Sequence, residues 1–585
     1  MPPQPLPSWL EHALIWLNYP VYHHWLLAAC GFGVVLLYAL YPSSPRPEAS
    51  RCVPGANAWG FAAALVICLI LFRWPTWFYQ NELNPDESQM TAGAITLRSF
   101  PLFWKYVDGA THGPINVYAL TFASFLGLPL NFFGVRLFAA LLEAGALIAT
   151  WRTLRQITSE RTARLGVLPA LAFWCLVSHH DFIHYSSELM PVFLMAAAGW
   201  LAAEPVLTLT PLCKTRLVRL LLAGVALGAV PLAKPQGAPV ALALAALLII
   251  VCLAYRRKQG GIQAILMLIT GGLGFPAAVT LVVLMLGLGP DAWNSYVLSN
   301  ILYVSSQADV RSNPVSLLLA LAKIEPLFGA LFLGSVAFAA ATILTTWRHA
   351  AWIARGLMAA SLIFVTASLV VILVPGRPLT HYLQLLVVPL AWLTTAALRL
   401  TEPKSAPEKF HSNRGYMAAT VALLAWGLAW PLLLLAEMHS PYAGQFTHHR
   451  FEHPPSQAAY FIRQRAQAGD TMAMWGWRPQ LYVETQLPQG TRESCTERQI
   501  TPAPMQQFYR DRYLKDMIER EPTWFVDSIG PASFAFTNRE IHGHERFEAL
   551  AQRVSEQYEL LAEIEHLRIY RLKGRPAQAQ GAGKG

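Results

Sequence analysis

The amino-acid sequence predicts a mostly α-helical, polytopic membrane protein of about 12 transmembrane helices, with juxtamembrane helices in its first outer loop and a C-terminal extracytoplasmic α/β domain. Three observations predict it. Of 585 residues, 54% are hydrophobic and only 13% charged, against roughly 25% charged in a soluble domain. Apolar runs of about 16–25 residues recur through the first three-quarters of the chain, long enough or nearly so to cross ~30 Å of hydrocarbon. Lys and Arg gather in short loops between those runs, as the positive-inside rule produces.

The basic loops are 151–164 (Arg152, Arg155, Arg161, Arg164), 213–219 (Lys214, Arg216, Arg219), 255–258 (Arg256, Arg257, Lys258), 348–355 (Arg348, Arg355) and 399–414. With all five in the cytoplasm, spans at about 163–179, 187–203, 217–233, 237–254, 262–287, 315–346, 353–374, 380–399 and 416–436 alternate without conflict. Further spans are expected at about 24–42, 58–77 and 132–150. The run 114–130 breaks the alternation if it crosses, so it is expected as a juxtamembrane helix. Gly113-Pro114 at its start and Gly127-Leu128-Pro129 at its end suit a short, bounded helix. The first loop, about 78–131, is then extracytoplasmic, and so is everything after 436.

Residues 437–573 carry more charge and shorter apolar runs than the expected transmembrane domain 1–436. There 471–476 and 523–527 read as strands, and 506–520 and 544–564 as helices. The tail 574–585 is low-complexity and expected to be disordered. A net charge of +10 calls for no nucleic-acid partner, because the cations sit in short loops; the partner implied is the lipid bilayer. Residues 1–20 lack Lys and Arg ahead of an apolar core, so no cleavable signal is expected. The seven cysteines show neither pairing nor metal-ligand spacing.

Four stretches can carry chemistry. "YQNELNPDESQMTAG" (79–93) puts Asp86 and Glu87 just past an apolar run. Asp86 suits a helix N-cap or a general base at the membrane–water boundary. In "SHHDFIHYSSELMP" (178–191), a helix would bring Asp181, His184 and Glu188 to one face. They would form a polar rim, a metal set or a functional cluster. Lys234 in "PLAKPQGAP" and Arg377 with His381 in "VPGRPLTHYL" are isolated cations at outer turns, either snorkelling or aimed at a phosphate. Trp475 and Trp477, in "MAMWGWRPQLYVETQLPQGTR", suit a sugar face or a buried core. His448, His449 and His453 read as a polar link.

The ordered set of these pieces resembles the GT-C membrane glycosyltransferases, close to the protein O-mannosyltransferase and lipid A aminoarabinose transferase group. "NPDESQMTAGA" is similar to the group's Asp-Glu stretch, "YVDGATHGPINVYAL" to its Asp-Gly segment, and "FFGVRLFAALL" to its Arg-Leu stretch. "HYSSELMPVFLMAAAGWL" and "LGAVPLAKPQGAPVALALAAL" resemble its second-loop acidic segment and its Lys-Pro turn. The likeness runs over roughly 58–400. Where relatives carry Lys-Pro-Pro, this chain has His112-Gly113-Pro114, so His112 would only partly replace a phosphate-contacting lysine.

The resemblance implies an inverting transfer of a sugar from a polyprenyl phosphate donor to a hydroxyl acceptor at the extracytoplasmic face of a bacterial inner membrane. Asp86 would be the base, and Glu87 or Glu188 would orient substrate. Lys234, Arg377, His381 and His112 would meet the donor phosphate, with Asp181, His184, Tyr106, Trp475 and Trp477 as substrate contacts. No cofactor is required; a divalent metal is possible. Two rival readings are a lipid-linked glycan polymerase or ligase using a polyprenyl diphosphate donor, and a secondary transporter, which tends to show repeats and mid-membrane ionisable groups.

Overall fold

A computed structural model describes residues 7–19, 21–41, 56–177, 179–208, 211–256, 259–305, 313–402 and 456–574. Ten helices among the described residues are long and apolar enough to cross a membrane, and the chain is an integral membrane protein. The expected count of about 12 is not reached among the described residues, and two expected runs take another form. Run 163–179 forms a helix at Glu160–Leu176 of 17 residues, buried almost throughout and packed against other helices. Run 315–346 is two helices, Pro314–Ile324 and Pro326–Thr346. Pro326 excludes the α conformation at Glu325, which instead caps the second helix through its carboxylate and Leu327 N (3.2 Å). The span expected at 416–436, the boundary at 437, the three link histidines and the tail from 575 lie outside the described residues.

The described residues divide into two compact units. The helical unit takes Met1–Tyr79, Arg136–Val282 and Ser306–Phe451. At its centre the helix within Thr380–Thr401 is buried along nearly its whole length. It packs on the helices Glu160–Leu176, Leu189–Leu207, Pro326–Thr346 and Trp352–Leu373. Elsewhere Gly224 and Gly228, four residues apart, let the Lys214–Ala233 helix meet Gly261–Met285. A Cβ on them would lie 2.2 Å from Leu268 O and 2.3 Å from Gly272 O. Such small-residue seams let helices approach within lipid, where no hydrophobic effect drives them together.

The sheet-bearing unit takes Gln80–Val135, Val283–Ser305 and Glu452–Gly585. Its four strands, β1 (Met472–Trp475), β2 (Trp524–Asp527), β3 (Tyr558–Ile564) and β4 (Leu567–Leu572), lie in the order β1-β2-β4-β3. The β1–β2 pair is parallel and the others antiparallel. The parallel pair, β1 and β2, is buried on both faces. One core holds Met472, Met474, Trp524 and Val526; the other holds Ala473, Trp475 and Phe525, the alternation a strand imposes.

Expected strands 471–476 and 523–527 and helix 506–520 form close to where the pattern put them. Segment 544–564 does not. It is a short helix, Glu548–Gln557, followed by β3. The β3–β4 turn is Glu565-His566, with φ of 54° and 64°. Both central residues of a two-residue hairpin of this kind need positive φ, a conformation usually announced by Asn-Gly.

The first long loop belongs to this unit. Helix Pro85–Ser99 sends Ala92 into the sheet core. Its Gly93 lies against Val117 and Val107; a Cβ there would meet them at 3.0 and 3.1 Å. Run 114–130 forms the helix Pro114–Phe125, 12 residues long and too short to cross, capped by Gly113. Gly127 ends it with φ of +99°. Arg492 ties the unit together. It pairs with Asp516 and Asp291 (2.9 Å each) and donates to Trp104 O (3.1 Å).

Candidate functional site

In the helical unit, four of the singled-out residues meet. Lys234 ends the Lys214–Ala233 helix in an extended conformation (φ −149°, ψ 116°), as the following proline requires. Its Nζ donates to Ser187 Oγ (2.7 Å) and lies 2.9 Å from Glu188 Oε1, with the side chains 1% and 0% exposed. It also sits 5.3 Å above the Tyr382 ring. His381 spans the two carboxylates: Nδ1 is 3.6 Å from Asp181 Oδ2 and Nε2 is 4.0 Å from Glu188 Oε1.

The loop carrying Asp181 and Glu188 is not one helix. A 3₁₀ turn at His180–Phe182 is followed by irregular turns and bends, and the next helix begins at Leu189. The expected shared face of Asp181, His184 and Glu188 is therefore corrected. Tertiary contacts bring Asp181 and Glu188 to His381 instead. The loop backbone is pinned from two sides. Arg73 Nη2 donates to Phe182 O (2.8 Å), while lying 3.2 Å from Glu143 Oε1. Gln384 Nε2 donates to Asp181 O (3.2 Å) and Ser186 Oγ (3.1 Å). Arg73, Glu143 and Gln384 went unmarked in the sequence. Their signal was the rarity of buried polar groups in apolar runs.

Burial opposes ionisation at Asp181, yet the hydrogen bond and charge of His381, then His184 and Thr380, hold its carboxyl well below the usual range. Burial likewise opposes Glu188, and the Lys234 charge, then His381, hold its carboxyl low. Both are acceptors at neutral pH. His179, His180 and Asp181 present ligand atoms within 4.8 Å of one another. Two imidazoles and an ionised carboxylate suit a borderline divalent ion. His184 is buried, with Nδ1 on His180 O (2.7 Å). Arg377 is exposed at its turn.

In the sheet-bearing unit, Asn84 rather than Asp86 is the N-cap of Pro85–Ser99; its Oδ1 accepts from Asp86 N (2.9 Å). Glu87 reaches back to accept from Leu83 N (2.8 Å) and is fully buried. It completes a box-like cap. Asp86 is partly exposed in the first turn, where the helix dipole favours an anion. His112 is buried against Gly109. Tyr106 stacks on Phe100 (4.9 Å, 27°), with the Arg520 guanidinium 4.9 Å from its ring. Trp475 is a core residue, 2% exposed, its Nε1 on His542 O (2.9 Å). Trp477 is half-buried beside Phe534 (5.1 Å).

No family model and no curated protein sequence matches this chain. Solved structures do. ArnT from Cupriavidus metallidurans bound to undecaprenyl phosphate aligns over 88% of this chain and 98% of its own, at 15% identity and a TM-score of 0.51. Its apo state aligns over the same shares at 14% identity and 0.51. This chain shares the fold of ArnT. The oligosaccharyltransferase of Archaeoglobus fulgidus is a more distant likeness, at a TM-score of 0.45 and 12% identity over 80% of this chain and 68% of its own.

Proposed function

We propose that this chain is an inverting glycosyltransferase. It takes a sugar from a polyprenyl phosphate and passes it to an acceptor hydroxyl at the extracytoplasmic face of a bacterial inner membrane. The observation that carries the reading is Asp86: a partly exposed carboxylate on the first turn of a helix, whose neighbour Glu87 is spent on the cap. Of the two, only Asp86 is left to take a proton from an attacking hydroxyl. The fold shared with an ArnT solved with undecaprenyl phosphate supports the donor class.

The hydroxyl attacks C1 of the sugar from the face opposite the phosphate, the C1–O bond to phosphate breaks, and configuration inverts. Asp86 receives the proton, and the electron pair leaves on the polyprenyl phosphate. The resemblance implies cations against that growing negative charge, and the helical unit offers exposed Arg377 and the imidazole of His381 for that role. Lys234, tied to Glu188, keeps the loop and His381 in place. A divalent ion at His179, His180 and Asp181 would add positive charge for the phosphate, but the cationic side chains suffice without it.

Binding of undecaprenyl phosphate to purified protein tests the donor half. Affinity should fall about tenfold or more in Arg377→Ala and stay unchanged in Asp86→Asn. Equal affinity in Arg377→Ala and wild type would remove Arg377 from the site. No binding to either wild type or Asp86→Asn would contradict the donor class.

A further inference from the structure

We propose that the sheet-bearing unit holds a site for the hydroxyl-rich end of a carbohydrate acceptor, lined by Gln89, Asp108, Glu493, Arg498, Gln499 and Tyr509. This names the acceptor class and rests on the transferase reading above. The recess itself holds about 30 Å³, room for about two water-sized groups, so it takes the hydroxyl edge of a sugar and not the whole ring.

Its walls come from separated stretches of sequence. Gln89 follows Asp86 by three residues on the same helix, so the two share a face. Asp108 lies in the loop beyond that helix, and the rest come from 493–509. The Asp86 charge reaches Cys495, which also lines the recess.

Two side chains carry the argument. Gln499 is 0% exposed, and neither its amide nitrogen nor its oxygen meets a protein partner. Glu493 is 6% exposed; Oε1 accepts from Arg512 (2.7 Å), while Oε2 meets no protein donor. Buried polar atoms are ordinarily paired. Unmet ones on the wall of a recess point to a ligand that supplies both a donor and an acceptor. A hydroxyl is both, and neighbouring hydroxyls on a ring can serve an amide and a carboxylate together.

The lining also discriminates. Arg498 is its one guanidinium, and that group is engaged with Tyr509 and with Ser299 Oγ (2.5 Å). Carboxylates come from Asp108, Glu493 and Glu497. Three carboxylates against the guanidinium of Arg498 and that of Arg512, which pairs with Asp108 and Glu493, leave one net negative charge facing a phosphorylated or carboxylated acceptor. An aliphatic alcohol would leave Gln499 unmet, a strong basis for rejection in sites built to hydrogen-bond. A neutral or amino sugar fits both restrictions.

Saturation-transfer NMR on the full-length protein in detergent tests the site, with methyl hexopyranosides and N-acetylserine amide as probes. At least one glycoside should give a signal that falls several-fold in Gln499→Leu and in Glu493→Gln, and N-acetylserine amide should give none. Thermal unfolding on the same samples shows whether each variant is folded. Should Gln499→Leu unfold, Gln89→Ala provides a second change in the same wall and should weaken the signal likewise. No glycoside signal on folded wild type, or a signal untouched in every folded variant, would overturn the site. Wild type that turns over no polyprenyl donor yet gives the Gln499-dependent signal would overturn the transferase reading and uphold the site.

Discussion

Lys234 Nζ lies 2.9 Å from Glu188 Oε1 with both side chains sealed from solvent. The lysine that looks like a lone cation between apolar runs is thus already neutralised, and the glutamate that looks like a substrate-orienting acid is its counter-ion. Removing one partner of a buried pair strands the other, at about 3–5 kcal/mol. Lys234→Met should destabilise the folded protein by that order. Lys234→Met with Glu188→Gln should lose much less than the sum. A double-mutant cycle on unfolding in mixed micelles reads the coupling, and additive losses would mean that the pair does not form.

Asp86 and Glu87 should separate cleanly. Glu87→Gln weakens a cap worth roughly 0.5–2 kcal/mol, so its melting point falls while turnover changes little per folded molecule. Asp86→Asn leaves the Asn84 cap intact, so stability holds while turnover drops by roughly 10²–10⁴. Thermal melts beside single-turnover rates give the comparison. The reverse pattern would move the base to Glu87.

Glu82 supplies a pH test. Burial pushes its carboxyl up to about 8 from 4.5, with the Glu87 charge adding. The folded state holds the proton more tightly than the unfolded chain. Its contribution to stability is therefore fully present below pH 4.5 and lost as pH rises through about 8. Wild type should melt progressively earlier than Glu82→Gln from pH 5 to pH 9, and the two should converge at pH 4. Parallel curves across the range would mean that Glu82 titrates normally.

Sidedness is open to labelling. Asn81 is exposed at the start of the first long loop. Asn81→Cys should react with an impermeant maleimide in intact cells. Reaction only after the membrane is opened would invert the topology.

The spans were legible because composition alone decides what enters hydrocarbon, and the helix at Pro85–Ser99 because Asn84-Pro85 and the paired acids mark a helix start. What escaped depends on distant partners. Glu565 and His566 take left-handed conformations that their residue types do not advertise. Asp181 and Glu188 looked like one helical face, yet the backbone between them breaks into turns and bends, and it is His381, some two hundred residues on, that brings them together. Gln499 lies in a segment that no sequence pattern marked, and only folding buries it. Trp475 stood open as sugar platform or core; its neighbours on both sides of β1 decide for core.

The central claim is tested most directly by following label from donor to acceptor. Purified protein should move radiolabelled sugar from a polyprenyl phosphate sugar into a cell-envelope glycan fraction, with or without EDTA, and Asp86→Asn should reduce that transfer at least a hundredfold, the low end of general-base effects. Transfer from a nucleotide sugar alone, or full activity in well-folded Asp86→Asn, would contradict the account.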